Sequence, residues 1–149
     1  MNEVTKETGE HFKLDGRLKA DCEFIANLGL CSLWLMNNAS VPWFILVPNL
    51  SHAIELTDLP ITQQQQVLHE MNQVAAMVTS LYNPDKLNIG ALGNVVSQLH
   101  IHVIGRFTND PAWPNPVWGQ LAANAYSEAQ LEQQLTNIRA CLKRQTVCV

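Results

Sequence analysis

The order of secondary-structure signals predicts an α+β fold: an antiparallel sheet of about five strands with one long helix and a C-terminal helix against it. Three observations carry this. Short strand-like runs occur as a group before a single long helical repeat, and two further strand-like runs follow it. A second helical repeat then closes the chain. Regular strand–helix–strand alternation, the mark of a parallel sheet, is missing.

The elements follow in order. After a polar start, Cys22–Ala26 and Cys31–Met36 are strand-like, and Trp43–Val47 is a dense β-type run. Asn37, Asn38, Ser40 and Pro42 interrupt the last two as a hairpin connection does. Thr62 with Gln65 fits a capping box, and Val67, Met71, Val74, Ala75, Val78 and Leu81 repeat at helical spacing until Asn83–Pro84 ends the helix. Leu87–Ala91 and Leu99–Ile104 read as strands separated by the Gly93–Ser97 loop. A second helix is expected over about 127–143, with Ser127 and Gln130 as its capping box and Leu131, Leu135, Ile138 and Leu142 as its apolar face. Both apolar stripes read as core rather than as functional surface.

A chain of 149 residues suits one domain, 1–149, with the chemistry-bearing core over about 22–118. Hydrophobic residues at 47% and charged residues at 15% exclude a disordered chain. The net charge of −4 argues against a nucleic-acid polymer as partner, since binding a phosphate chain relies on Lys and Arg. One small nucleotide is still compatible, because backbone N–H groups can hold a single phosphate. The apolar stretches 28–36 and 41–48 are far short of the ~20 residues that span a bilayer, so no membrane association is expected. Four cysteines, at 22, 31, 141 and 148, include no C-x-x-C pair. Residues Met1–Glu10 are polar and acidic rather than a secretory signal. The expectation is a cytoplasmic protein with reduced, buried cysteines.

The informative stretch is Lys86–Arg106, KLNIGALGNVVSQLHIHVIGR. In a strand over Gln98–Arg106, Leu99, Ile101 and Val103 point to one apolar face. Gln98, His100 and His102 point to the other, at intervals of about 6.6 Å, twice the rise per residue. Two imidazoles and an amide so spaced can bracket one tetrahedral phosphate, one ring as nucleophile and its neighbours as hydrogen-bonding partners. Just upstream, Gly90 and Gly93 frame a turn leading to Asn94. Glycine allows positive φ and close backbone approach to a ligand, and successive N–H groups in such a loop form an anion-binding concavity.

This segment resembles the histidine-triad (HIT) family, whose signature is His-φ-His-φ-His-φ-φ, with φ hydrophobic. Here it stands as Gln98-Leu99-His100-Ile101-His102-Val103-Ile104, preceded by Asn88-Ile89-Gly90 and Gly93-Asn94-Val95-Val96. Gln98 occupies the first histidine position and Val95 a position where several relatives have Ser. The nearest likeness is to bacterial Gln-x-His-x-His members resembling dinucleoside polyphosphate (Ap4A-type) hydrolases. The resemblance implies that His100 is the nucleophile attacking an α-phosphate and that His102 contacts the phosphate and the bridging or leaving oxygen. It places Gly93 and Asn94 in the phosphate loop, Asn88 before it, and the ribose contact near Asn37 or Asn38. It further implies a homodimer with joined sheets, and in some members a C-terminal Trp lent to the partner's site, for which Trp113 and Trp118 are candidates. The implied reaction is hydrolysis of a nucleotide, either a dinucleoside polyphosphate or a nucleoside phosphoramidate, through a nucleotidyl-histidine, with no cofactor. Its attacking nitrogen must be unprotonated, so acid should suppress activity.

Two other readings remain open from the residues. One is a catalytically weak nucleotide-binding module, favoured by Gln98 and Val95. The other is a metal-dependent hydrolase in which His100 and His102 take a third ligand from His11, His52 or His69.

Overall fold

The computed structural model describes residues 11–147. Five strands form one antiparallel sheet: β1 (Cys22–Asn27), β2 (Cys31–Met36), β3 (Trp43–Pro48), β4 (Lys86–Gly90) and β5 (Ile101–Arg106), in the order β1-β2-β3-β5-β4. Three helices accompany it: α1 (Gly16–Asp21), α2 (Ile61–Tyr82) and α3 (Glu128–Val147). A short 3-10 turn, Leu56–Asp58, precedes α2. The α+β expectation therefore holds, with its five strands and both long helices.

Alternation along the strands builds a core on each face. Leu33, Leu35, Phe44, Leu46, Ile101 and Val103 turn to α2 and α3, meeting Val67, Val74, Met77, Val78, Ile138 and Cys141. Trp43, Ile45, Val47 and Ile104 turn the other way, under Leu18, Ala112 and Val117. This second layer comes from α1 and from the chain that follows β5. Each fully buried aliphatic side chain contributes roughly 1.5–3 kcal/mol.

Several boundaries differ from the sequence reading for local reasons. The polar start contains α1, where the Asp15 side chain accepts from Arg17 N–H and Leu18 is buried. Thr62 does not cap α2: the helix begins at Ile61, and the Pro60 carbonyl takes the Gln63 and Gln64 N–H groups without a side-chain cap. Proline's fixed φ suits a helix start, which explains the earlier beginning. Strand β5 starts at Ile101 rather than before it, because Leu99 N–H donates to Ala53 carbonyl, beyond the end of β3. Helix α3 runs a few residues further than expected. The Ser127 box forms reciprocally, with Ser127 N–H to Gln130 Oε1 at 3.0 Å and Gln130 N–H to Ser127 Oγ at 3.2 Å. Asn83 ends α2 in the left-handed conformation (φ 47°).

Cys22, Cys31 and Cys141 are buried and free, and Cys148 lies outside the described residues, as does the Met1–Glu10 segment. Burial, then the charges of Asp21 and Glu23, pushes the Cys22 thiol up to about 12. Burial, followed by Glu70, raises Cys31 as well. Neither thiol is therefore disposed to react as thiolate at neutral pH. Among the described residues no helix is long and apolar enough to cross a membrane.

Glu70, only 1% exposed, ties α2 to the β1–β2 turn. Its Oε1 accepts from Leu30 N–H at 2.8 Å and from Gln66, and its Oε2 accepts from Cys31 N–H at 2.8 Å. The approach is so close that a Cβ on Gly29 would lie 2.6 Å from Oε1. Glu70→Ala would strand both backbone donors. We expect a loss of roughly 2–5 kcal/mol in urea unfolding, since a buried unsatisfied donor costs about 1–3 kcal/mol.

Candidate active site

The β3–β5 ladder sets the site. Ile45 pairs with His102 and Trp43 with Ile104, so Trp43 is the diagonal neighbour of His102 on one face. Trp43 Nε1–H donates to His102 Nδ1 at 3.0 Å. Trp118 meets the same imidazole edge-on, at 5.2 Å between centroids and 85° between planes. Opposite His102 on β4 is Gly90, where a Cβ would come within 3.4 Å of the Trp118 ring. Glycine there makes room for the indole.

His100 lies just before β5, its ring centroid 5.0 Å from that of His102. Its Nδ1 is 2.7 Å from the Gln98 carbonyl. A carbonyl can only accept, so Nδ1 carries the proton and the neutral ring keeps its lone pair on Nε2. Both histidines are buried, at 7% and 6% exposure. His100 borders a cavity of about 140 Å³ together with Gly93, Asn94, Ser97, Ile54 and Glu55. Gly93 has φ +69°, which a side chain would strain. Burial first, and the neighbouring His100 second, pushes the His102 imidazolium down to about 4.

The structure separates the sequence candidates. His100 borders one cavity with Gly93 and Asn94, and the His102 ring stands beside that of His100. Asn88 shares their sheet face, opposite Ile104, but its Oδ1 accepts from Arg106 Nη1 at 2.7 Å. Gln98 makes its side-chain bonds elsewhere: Oε1 accepts from Asp15 N–H at 2.9 Å and Nε2 donates to the Lys13 carbonyl at 2.8 Å. It straps the segment before α1 to the motif, and its backbone carbonyl, not its amide, meets His100. Asn37 lies past the opposite end of β2, more than about 10 Å along the strand direction from His100 at ~3.3 Å per residue. There Asn37 Oδ1 accepts from Tyr126 N–H, and Asn38 Nδ2 donates to the Ala122 carbonyl.

Trp118 packs on His102 of its own chain, and Trp113 lies over the Arg106 guanidinium at 5.7 Å. Arg106 is 1% exposed and joined to Asp110 through Nε at 2.8 Å and Nη2 at 3.0 Å. Burial alone would raise the Asp110 carboxyl. Hydrogen bonds from Arg106 and from Phe107 and Ala112 N–H outweigh it, with Arg106's charge, and pull the carboxyl down to about 2. Among the described residues no group of three or more His, Cys, Asp or Glu is placed to hold a metal ion, so His11, His52 and His69 do not complete a ligand set with the motif pair.

Sequence reasoning missed Trp43 and Ser97. Trp43 is 59 residues from His102 in the chain and nothing local ties the two. Ser97 borders the same cavity as His100, in the loop before β5, where strand alternation does not say which way a side chain turns.

A family model for the HIT domain matches residues 17–109. Among solved structures, a histidine triad protein from Bradyrhizobium japonicum is 38% identical, with a TM-score of 0.86 over 89% of this chain and 98% of that one. One from Sinorhizobium meliloti is 43% identical, with a TM-score of 0.84 over 87% and 96%. One from Marinobacter aquaeolei is 40% identical, with a TM-score of 0.87 over 90% and 98%. No curated protein matches the chain.

The depressed His102 pKa makes stability depend on acid. An unfolded imidazole titrates near 6.5 and the folded one near 4, so between these values the unfolded chain binds more protons. Stability present above about pH 6.5 should fall, by on the order of 3 kcal/mol, as pH drops toward 4. Denaturant titrations across this window should show a shallower slope for His102→Gln than for the parent.

Proposed function

The chain belongs to the HIT family, and from that premise we propose that it hydrolyses a nucleotide at its α-phosphate through a covalent bond to His100. The observation that carries the proposal is the 2.7 Å contact between His100 Nδ1 and the Gln98 carbonyl. It leaves the Nε2 lone pair on a buried ring at the edge of the cavity bounded by Gly93 and Asn94.

In the first step His100 Nε2 forms a bond to phosphorus, and the bond to the leaving group breaks with its electron pair on the departing atom. His102 and loop amides offset the charge that develops there. Water then attacks phosphorus, the N–P bond breaks, and nucleoside monophosphate is released with Nε2 restored. The substrate class is a dinucleoside polyphosphate or a nucleoside phosphoramidate. Asn94 and Gly93 N–H groups are assigned to the phosphate; a phosphate role for Asn88 has less support, since its Oδ1 is held by Arg106. Gln98 acts through its backbone carbonyl. The Asn37 ribose contact has less support, given its distance along the sheet.

We assign the protein as a homodimer joined through β4. That strand ends the sheet with Ile89 exposed, whereas the β1 edge is covered where Arg139 donates to the Phe24 and Ile25 carbonyls. Unprotected edges invite pairing. Light scattering in the micromolar range should give twice the mass of one chain; a monomer mass would contradict the assignment.

His100→Ala should lose on the order of 10⁴–10⁶ in turnover while keeping its fold and nucleotide affinity. Acid quenching of the parent with a phosphate-labelled nucleotide should leave label on protein, and none on the variant. Turnover by a well-folded His100→Ala protein contradicts the covalent route. Nucleotide binding by the parent with neither turnover nor labelling leaves a binding module instead.

A further inference from the structure

Trp43 lies outside the motif, yet it decides where the His102 proton sits. An indole N–H can only donate, so His102 Nδ1, 3.0 Å away, is an acceptor and the neutral ring carries its proton on Nε2. His100 is the reverse, with Nδ1–H held by the Gln98 carbonyl and Nε2 bare. Two rings with centroids 5.0 Å apart are thus locked in opposite tautomers, by two partners that cannot exchange roles.

We infer that Trp43 is a positioning residue that fixes His102 as a neutral Nε2–H donor to the leaving group, and that the site therefore takes phosphoric anhydrides in preference to phosphoramidates. The assignment rests on the covalent chemistry of His100 proposed above. When an anhydride reacts, the bond from phosphorus to the bridging oxygen breaks with its electron pair on that oxygen. A phosphate oxyanion departs, which needs a hydrogen bond but no proton. A phosphoramidate releases its nitrogen only if that nitrogen receives a proton. Neutral His102 cannot supply one without becoming an imidazolate, because Nδ1 is held by an indole N–H that is not released. Burial keeps the imidazolium form scarce near neutrality, since it titrates at about 4. Trp43 at 8% exposure and His102 at 6% leave little room for water to replace the indole as Nδ1 partner.

The first test uses the intact parent with ¹⁵N-labelled histidine. Two-bond ¹H–¹⁵N spectra report each ring's tautomer, with signals assigned through His100→Gln and His102→Gln. Protonated Nε2 at His102 and protonated Nδ1 at His100 are expected, and a proton on His102 Nδ1 overturns the inference. This measurement needs no Trp43 variant to fold.

The second test compares kcat/KM for diadenosine tetraphosphate and adenosine 5′-phosphoramidate, and for the p-nitrophenyl and phenyl esters of AMP, in the parent and in Trp43→Phe. The parent should favour the anhydride. Trp43→Phe keeps an aromatic ring but frees the His102 tautomer. Its loss should be about ten- to a hundredfold larger on the phenyl ester than on the p-nitrophenyl ester, the scale of one hydrogen bond to a charged group. Equal losses on the two esters make Trp43 merely structural, and a parent that prefers the phosphoramidate overturns the substrate assignment. Failure to label His100 removes the covalent reading, while the tautomers are still read from the spectra.

Discussion

The register between β3 and β5, with Leu46 opposite Ile101 and Ile45 opposite His102, is the constraint on which the remaining structure rests. It joins the N-terminal hairpin to the motif strand, so the two halves of the chain share one sheet. Because side chains alternate, a slip of one residue would carry Ile101 and Val103 out of the helix-side core and bury the histidines against α2. The same register makes Trp43 the diagonal neighbour of His102, and the β4–β5 register sets Gly90 opposite it. Core packing and site geometry are therefore one decision.

Buried polar groups hold the irregular chain around that sheet. Glu70 fastens the β1–β2 turn to α2, and the Arg106–Asp110 pair, with Asn88 and the Asn115 carbonyl, closes the segment that follows β5. Such groups are tolerated in the interior because each donor and acceptor meets a partner. Their common effect is positional. Arg106 closes the chain that carries Val117 and Trp118 back across the sheet, and Trp118 then forms one wall beside His102. Gln98 does the same from the other side, strapping residues 13 and 15 to the start of the motif.

At the centre the protein uses neighbours, not net charge, to make two identical side chains different. A carbonyl at His100 and an indole N–H at His102 give one ring a bare Nε2 and the other a bare Nδ1. Burial then keeps His102 uncharged well below neutral pH. Neither effect is a property of histidine alone, and both depend on groups placed by the sheet.

The sequence by itself determined the α+β class, the strand and helix order, the end of α2 at Asn83 and the cap at Ser127, because periodicity and capping act over a few residues. It also determined the family, through a contiguous motif, and the nearness of His100 to Gly93 and Asn94, which are close in the chain. Only the tertiary structure decided the partners across the sheet. Trp43 reaches His102 across 59 residues of sequence, Gln98 turns its amide to the α1 approach, and Asn37 ends at the far side of β2. The physical reason is range: local propensity and alternation fix which face a side chain takes, whereas strand pairing between distant segments fixes what it meets there.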